Sequence, residues 1–333
     1  MKLAGKTILI TGGCGLIGST LADRLLLEEP TVRIILLDNL TRGTRVNIER
    51  AMASARVKLV EEDIRHFDRI RPWFDGVDGV FHQAAIRITR CAQEPRECVE
   101  VLIDGTLNVL QSCVEAKVQK VVAASSASVY GLAGEFPTAE SHHPYNNRTL
   151  YGAAKTANEA MLRSFNDMYG LKYVALRYFN VYGPRMDVFG KYTEVLIRWL
   201  DCIDHGDTPK IFGDGKQTMD FVFADDVARA NCLAMTSEVS DEVINVASGE
   251  ETSLLGLLDA LLRVTGQTHV RPEFGPDRAV NPVPRRLADT RKAERMLGFK
   301  TSVALEEGLR RLVDWRRELL AVQAVAAAHE AKL

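Results

Sequence analysis

Short apolar runs rich in valine and isoleucine recur through the first 180 residues: Thr7–Thr11, Arg33–Asp38, Val57–Val60, Gly79–Gln83, Lys120–Ser125 and Tyr173–Arg177. None alternates strictly between apolar and polar positions, the pattern of strands covered on both faces. Between them lie stretches of helical periodicity, Leu16–Glu28, Asn47–Ala53, Glu94–Glu115 and Tyr151–Tyr169. Strand–helix–strand repetition on this scale predicts an α/β fold with a doubly wound parallel sheet. After residue 180 the pattern loosens. Gly183-Pro184, Gly213-Asp214-Gly215 and the four prolines between Pro272 and Pro284 are turn chemistry. Helical stretches recur near 192–204, 225–236, 253–264 and 303–320, and the last thirteen residues, AVQAVAAAHEAKL, continue a helix or fray. The pattern therefore divides the chain into a sheet domain over 1–180, which also receives segments near 220–250, and a smaller C-terminal α+β lobe over 181–333.

Composition changes this picture little. A chain of 333 residues with 46% hydrophobic and 26% charged residues has enough apolar side chains for a proper core, and is neither disordered, collagen-like nor a coiled coil. Forty-four acids against 42 bases give a net charge of −2, so no global field favours nucleic acid or anionic lipid. No apolar run approaches the ~18–20 residues of a membrane-spanning helix, and the N-terminus runs directly into a strand and a glycine turn rather than a secretory signal. Six cysteines, at 14, 91, 98, 113, 202 and 232, show no CxxC pair and no metal-ligand rhythm. They read as buried thiols in a reducing compartment rather than a disulfide framework. The expectation is a cytoplasmic protein without metal, nucleic-acid or membrane partners.

The chemistry begins where the first strand runs into Gly12-Gly13-Cys14-Gly15-Leu16-Ile17-Gly18. Glycines serve where the chain turns sharply, where backbone approaches a pyrophosphate, and where helix packs closely on strand. The helix N-terminus that follows offers free N–H groups to phosphate. A lone GxGxxG is weak, but this one follows a strand, opens a helix and is trailed by Asp38 twenty residues on. A carboxylate there, with Asn39 beside it, suits the ribose diol of NAD and repels a 2′-phosphate, although Arg42 is close enough to serve one. Asp63 and Ile64, after the third strand, fall where an adenine ring would lie.

Tyr151-Gly-Ala-Ala-Lys155 places a phenol and an ammonium one helical turn apart. A positive charge ~5 Å from the phenol, at an effective dielectric of ~20, favours phenolate by about 3 kcal/mol, or roughly 2 pH units. Such a phenolate can remove a hydroxyl proton. By itself the pair is common on solvated helices. The serine-rich strand end Ser125-Ser126-Ala127-Ser128 some twenty residues earlier supplies a hydroxyl, that of Ser126, to bind the same substrate oxygen.

TGGCGLIG, HQAA, SSASVYG, YGAAK and RYFNVYGPR, in this order, resemble the extended short-chain dehydrogenase/reductase family, a Rossmann-like fold. Within it the chain is most similar to NAD-dependent nucleotide-sugar epimerases such as UDP-hexose 4-epimerases. The resemblance implies Tyr151 as base, Lys155 on the nicotinamide ribose and Ser126 on the reacting oxygen. It further implies Gln83, Ala84 and Ala85 along the cofactor phosphates, Phe179 near the nicotinamide, and Ser128, Asn180 and Arg278 on a substrate, a UDP-linked sugar. His82 is equally a core residue or a cofactor contact. Two-fold dimers of this family form through the helices equivalent to 94–115 and 151–169, with Val109, Cys113 and Met161 as apolar positions for a homodimer face. A net oxidoreductase on a sugar or sugar nucleotide, and a cofactor-binding sensor or scaffold without catalysis, remain as alternatives.

Several positions depart from the family pattern. Sugar dehydratases carry Asp-Glu where this chain has Ala127-Ser128, and decarboxylases a glutamate at Ser128, which favours epimerisation. Leu102 stands where an asparagine is usual, in a region whose preceding loop, 86–95, is one residue short, so contacts by Arg87 to Cys91 are unsettled. Met219 replaces an arginine that reaches the substrate diphosphate, a contact that Lys216, Arg278 or Arg285 would have to supply instead. The pair Arg285-Arg286 falls where the family borders its sugar pocket, and a cation there suits an acidic sugar.

Overall fold

The computed structural model describes residues 1–190, 194–277 and 283–330, with side chains to residue 323. Seven parallel strands form one sheet: β1 (Thr7–Thr11), β2 (Arg33–Leu37), β3 (Val57–Val60), β4 (Gly79–His82), β5 (Lys120–Ser126), β6 (Lys172–Tyr178) and β7 (Glu242–Val246). Their order across the sheet is β7-β6-β5-β4-β1-β2-β3. The order reverses between β1 and β4, which opens a crevice at their C-terminal ends. The fold is therefore Rossmann-like, as the alternation of patterns predicts.

Strand side chains alternate between faces, and both faces are covered. Ile8 and Ile10 pack under α1 (Leu16–Glu28), while Leu9, Val80 and Val121 face the other layer, built from α2 (Gly105–Glu115) and α3 (Leu150–Tyr169). Outer strand β7 follows α4 (Ala224–Thr236), which crosses back beside α1 and buries Val227 and Met235 in the first layer. A third core, around Leu196, Trp199, Leu257 and Leu309, belongs to the segments beyond the sheet. Among the described residues no helix is long and apolar enough to cross a membrane.

Three expectations need correction. The helix expected over 94–115 runs unbroken from Pro95 to Glu115 but is not regular: it widens into a π turn at Glu100–Asp104 between Pro95–Val99 and α2. Leu102 sits in that turn fully buried, its carbonyl accepting from Thr106 Oγ1 at 2.6 Å. The turn also presses Gly105 so close to Ile64 that a Cβ would meet that side chain at 2.7 Å. Second, Cys91 and Cys98 form a disulfide, with Cα atoms 4.8 Å apart, while Cys14, Cys113 and Cys232 are buried thiols. Two short helices, Ile88–Gln93 and Pro95–Val99, fold back on each other at the Glu94-Pro95 bend and bring the seven-residue spacing together. Third, Val109 and Cys113 are wholly buried in the subunit's own core, so they cannot serve a dimer face. The exposed apolar side chains on α2 and α3 are Leu107, Leu150, Met168 and Tyr169.

Candidate active site

A cleft of about 1260 Å³ runs from the C-terminal ends of β1, β2 and β4 past β5 and α3 to Leu196, Trp199 and Leu254 in the segments beyond the sheet. Every described cofactor and substrate residue expected from the sequence borders it; Arg278 lies outside the described residues. At the first end, Gly12 has φ +67°, and a Cβ there would lie 2.8 Å from the Ala84 nitrogen. A Cβ on Gly18 would strike the Gly12 carbonyl. Gly15 begins α1 without a side-chain cap, so the first-turn N–H groups at Leu16, Ile17 and Gly18 face the cleft without helical partners. That is a cradle for a pyrophosphate.

Asp38 continues the same wall. Its two oxygens accept from the Cys14 N–H at 2.9 Å and the Leu40 N–H at 2.8 Å, leaving a lone pair on each for ribose hydroxyls. Burial raises its carboxyl, although both amides oppose the shift. Asn39 donates to Asp63 at 2.7 Å, and Arg65 grips the same carboxylate with two nitrogens. Burial would raise Asp63, but these bonds outweigh it and hold the group at about 2. The Gln83 side chain turns away to Asn231 and Tyr178, so only its edge reaches the cleft. His82 is a core residue. Its ring nitrogens meet Thr11 Oγ1 at 2.8 Å and Thr106 Oγ1 at 3.0 Å, and burial lowers it to about 3, keeping it neutral.

Midway along the cleft β5 ends at Ser126, and α3 begins beside it. Thr149 caps α3 by accepting from the Gly152 N–H at 3.1 Å, which fixes Tyr151 in the first turn. The Tyr151 phenol faces the Ser126 hydroxyl, which favours its phenolate form. Lys155, only 2% exposed, donates to the Ala124 carbonyl at 2.7 Å, and its Nζ lies 5.9 Å from the Tyr151 ring centre. Burial lowers the ammonium to about 8, opposed by the Glu159 carboxylate.

The expected depression of Tyr151 by Lys155 is not what this structure has. Burial dominates and raises the phenol; the Ser126 hydroxyl, Arg42 and Arg286 pull the other way. Lys155 is turned to the strand instead. Arg42, from the loop after β2, lies within the cleft, and Arg286, 9% exposed, comes from the segment paired with Thr218. The sequence located both arginines but not their convergence on Tyr151.

The departures now have places. Met219 borders the cleft in the two-residue strand Thr218–Met219. Arg285 points outward, in an ion pair with Glu251 at 2.7 Å and over the Phe136 ring, so it is no substitute for a phosphate contact. Lys216 is exposed, loosely paired with Asp214. Arg87 enters the cleft, flanked by Glu194 at 3.5 Å and Asp187 at 3.7 Å, with Nε and Nη1 buried and without hydrogen bonds. Phe179 is buried against Tyr130, and the Asn180 amide donates to the Asp220 carbonyl at 3.1 Å.

The model of the NAD dependent epimerase/dehydratase family matches residues 8–247. The chain belongs to this family. Its cofactor is NAD, and the glycine cradle, Asp38 and Lys155 are the groups that fit that molecule. UDP-glucose 4-epimerase from Mycolicibacterium smegmatis is 36% identical over 317 residues, covering 93% of this chain and 98% of that protein. UDP-glucuronate 4-epimerase from Thermodesulfobacterium geofontis is 31% identical over 320 residues, covering 93% and 96%. The crystal structure of Thermotoga maritima UDP-glucose 4-epimerase with UDP-glucose has a TM-score of 0.88 and 34% identity, covering 94% of this chain and 99% of that one.

Proposed function

We propose that the chain is a 4-epimerase of a UDP-hexose or a close derivative, working through a transient 4-keto sugar. The observation that carries this reading is the place of the Ser126–Tyr151 pair, midway along one cleft between the glycine cradle and the second lobe. Tyr151 takes the proton from the sugar hydroxyl and later returns it. Ser126 shares that oxygen and holds it near the phenol. Lys155 holds the nicotinamide ribose. Bound NAD supplies a hydride acceptor and then a hydride donor. Ala127 and Ser128, beside Ser126, provide no acid–base pair for eliminating water, which favours epimerisation over dehydration. Phe179 borders the nicotinamide, while Ser128 and Asn180 face the sugar nucleotide. In this reading 1–180, joined by segments near 220–250, bind the cofactor and the remaining lobe anchors the nucleotide.

A second observation favours an acidic sugar. Arg286 is a buried cation on the cleft wall beside Met219, where a uronate carboxylate would find a charge-assisted partner. Sugar-nucleotide profiling by chromatography and mass spectrometry, without added cofactor, tests both statements. A new peak of unchanged mass from UDP-glucose, UDP-galactose or their uronates supports epimerisation and names the sugar. A product two mass units lighter that requires added NAD makes the chain an oxidoreductase instead. A homodimer through α2 and α3 is part of the proposal, with Leu107, Leu150, Met168 and Tyr169 as its apolar face, and light scattering in solution tests it.

A further inference from the structure

One turn beyond Lys155, α3 carries a carboxylate that the site described so far does not use. Glu159 and Arg177 form an ion pair with only 10% of either side chain exposed. The pair is bidentate: Arg177 Nε donates to Oε1 at 2.8 Å, and Nη2 to Oε2 at 2.7 Å. Arg177 also donates to the Glu140 carbonyl at 3.0 Å and lies over the Tyr130 ring at 4.7 Å. The remaining bond is the informative one. Ser125 Oγ donates to Glu159 Oε1 at 2.5 Å. Ser125 lies between Ala124, whose carbonyl holds the Lys155 ammonium, and Ser126, whose hydroxyl faces Tyr151. Glu159 and Lys155 thus share one helix face and dock on consecutive residues of one strand.

We propose that Glu159 is a positioning residue: it clamps the end of β5 to α3 and keeps the buried Lys155 protonated for its work on the cofactor ribose. The proposal rests on the assignment of Tyr151 and Lys155 as the reacting machinery. Among the described residues, the charged and titratable groups facing Lys155 are Tyr151 and Glu159 on its own helix, neutral His82 on β4, and Arg177 on β6. Of these only Glu159 is an anion, and Arg177 shares its charge. An ammonium that must leave water needs a nearby anion to remain charged. Burial lowers Lys155 to about 8 even with the Glu159 carboxylate opposing it, so its charge is easily lost.

The test is the pH profile of UDP-glucose and UDP-galactose interconversion in the NAD-loaded protein, with NADH affinity followed by fluorescence over the same range. Removing the carboxylate lowers the lysine's affinity for its proton, so the alkaline limb of Glu159→Gln moves to lower pH. A displacement of about one unit is expected, which is about a tenfold loss of rate above the limb. At pH values below the limb the rate stays near that of the parent. NADH affinity weakens at alkaline pH in parallel. Leaving Arg177 buried without its anion can unfold the protein, so Glu159→Gln/Arg177→Gln is measured beside it; a smaller displacement in the same direction is expected. Glu159→Asp should restore most of the limb. A purely structural role would lower the rate equally at every pH and leave the limb in place. An unmoved limb in the folded double variant, with Tyr151→Phe inactive, overturns the role of Glu159 alone. An active Tyr151→Phe overturns the assignment of the site and this inference with it.

Discussion

Arg286 should contribute no net stability to the protein. Its guanidinium is lowered from an ordinary 12.5 to about 10 by burial, with the Tyr151 phenol opposing the shift. At about 1.36 kcal/mol per pH unit this corresponds to roughly 3 kcal/mol against the charged form in the folded state. The folded value lies below the unfolded one, so the penalty applies in full below about pH 10 and disappears only above the unfolded value. At neutral pH all of it is present. Arg286→Met keeps an unbranched side chain of similar reach and removes the charge. Against the recovered 3 kcal/mol stand the polar contacts of the arginine, worth about 1.5–3 kcal/mol for a charged donor. The variant should therefore be between unchanged and about 1.5 kcal/mol more stable, seen in urea unfolding at pH 7 or as a Tm higher by roughly 2 °C per kcal/mol. Function should move the other way. Without this cation the Tyr151 phenol binds its proton more tightly, so the acid limb of the pH profile moves to higher pH. A variant destabilised by more than about 1 kcal/mol would show that the contacts of Arg286 outweigh its desolvation, and the reasoning would be wrong.

Other expectations are shorter to state. Tyr151→Phe should lose about 10²–10⁴-fold in turnover while binding NADH as before, since the phenol faces Ser126 rather than the glycine cradle; retention of more than a tenth of the rate would remove Tyr151 as the base. Gly12→Ala must hold alanine at φ +67° with its Cβ 2.8 Å from the Ala84 nitrogen, which costs about 1–2 kcal/mol for the backbone alone. NADH affinity and Tm should fall together, and unchanged values for both would sink the cradle assignment. Reducing the Cys91–Cys98 bond opens a loop of seven-residue separation and should lower stability by about 2–3 kcal/mol. Cys91→Ser protein should be indifferent to reductant.

What the sequence revealed divides along physical lines. Strands β1 to β6 were legible because both faces are buried, and a run such as TILIT has few other uses. Helix α1 emerged residue for residue, since its start is a glycine turn and its apolar stripe is regular. The strand β7 was missed because Glu242–Val246 begins with two half-buried residues and lies beyond residue 180, where the strand–helix alternation loosens. The π turn within 94–115 was missed because it adds one residue without changing the apolar count, and the disulfide because its spacing closes only through the separate bend at Glu94-Pro95. The glycine cradle, Asp38 and the Ser126–Tyr151–Lys155 group were legible because each sits at a fixed distance from a strand end. The electrostatics were not. Spacing places Lys155 one turn from Tyr151, but it does not say that the ammonium turns to Ala124 instead.

That difference bears on how a family with one reacting group can treat different sugars. The groups nearest the reaction lie on β5 and α3, which are held by the sheet ladder, the Thr149 cap and the Glu159 clamp. The charges that act on the Tyr151 phenol come from elsewhere: Arg42 after β2, Arg286 in the segment paired with Thr218, and Glu194 ahead of Val195–His205. Each stands on a connecting segment, where substitution costs the core little. Under the function proposed above, a cation at 286 both assists the phenol and places a charge on the sugar wall, so changing it would alter reactivity and substrate preference together. Arg286→Met should therefore shift the acid limb for every substrate and, if the substrate is a uronate, also raise KM for that sugar more than for its neutral counterpart. A variant that raises KM for the uronate but leaves the limb fixed would separate the two roles and place the cation on the sugar alone.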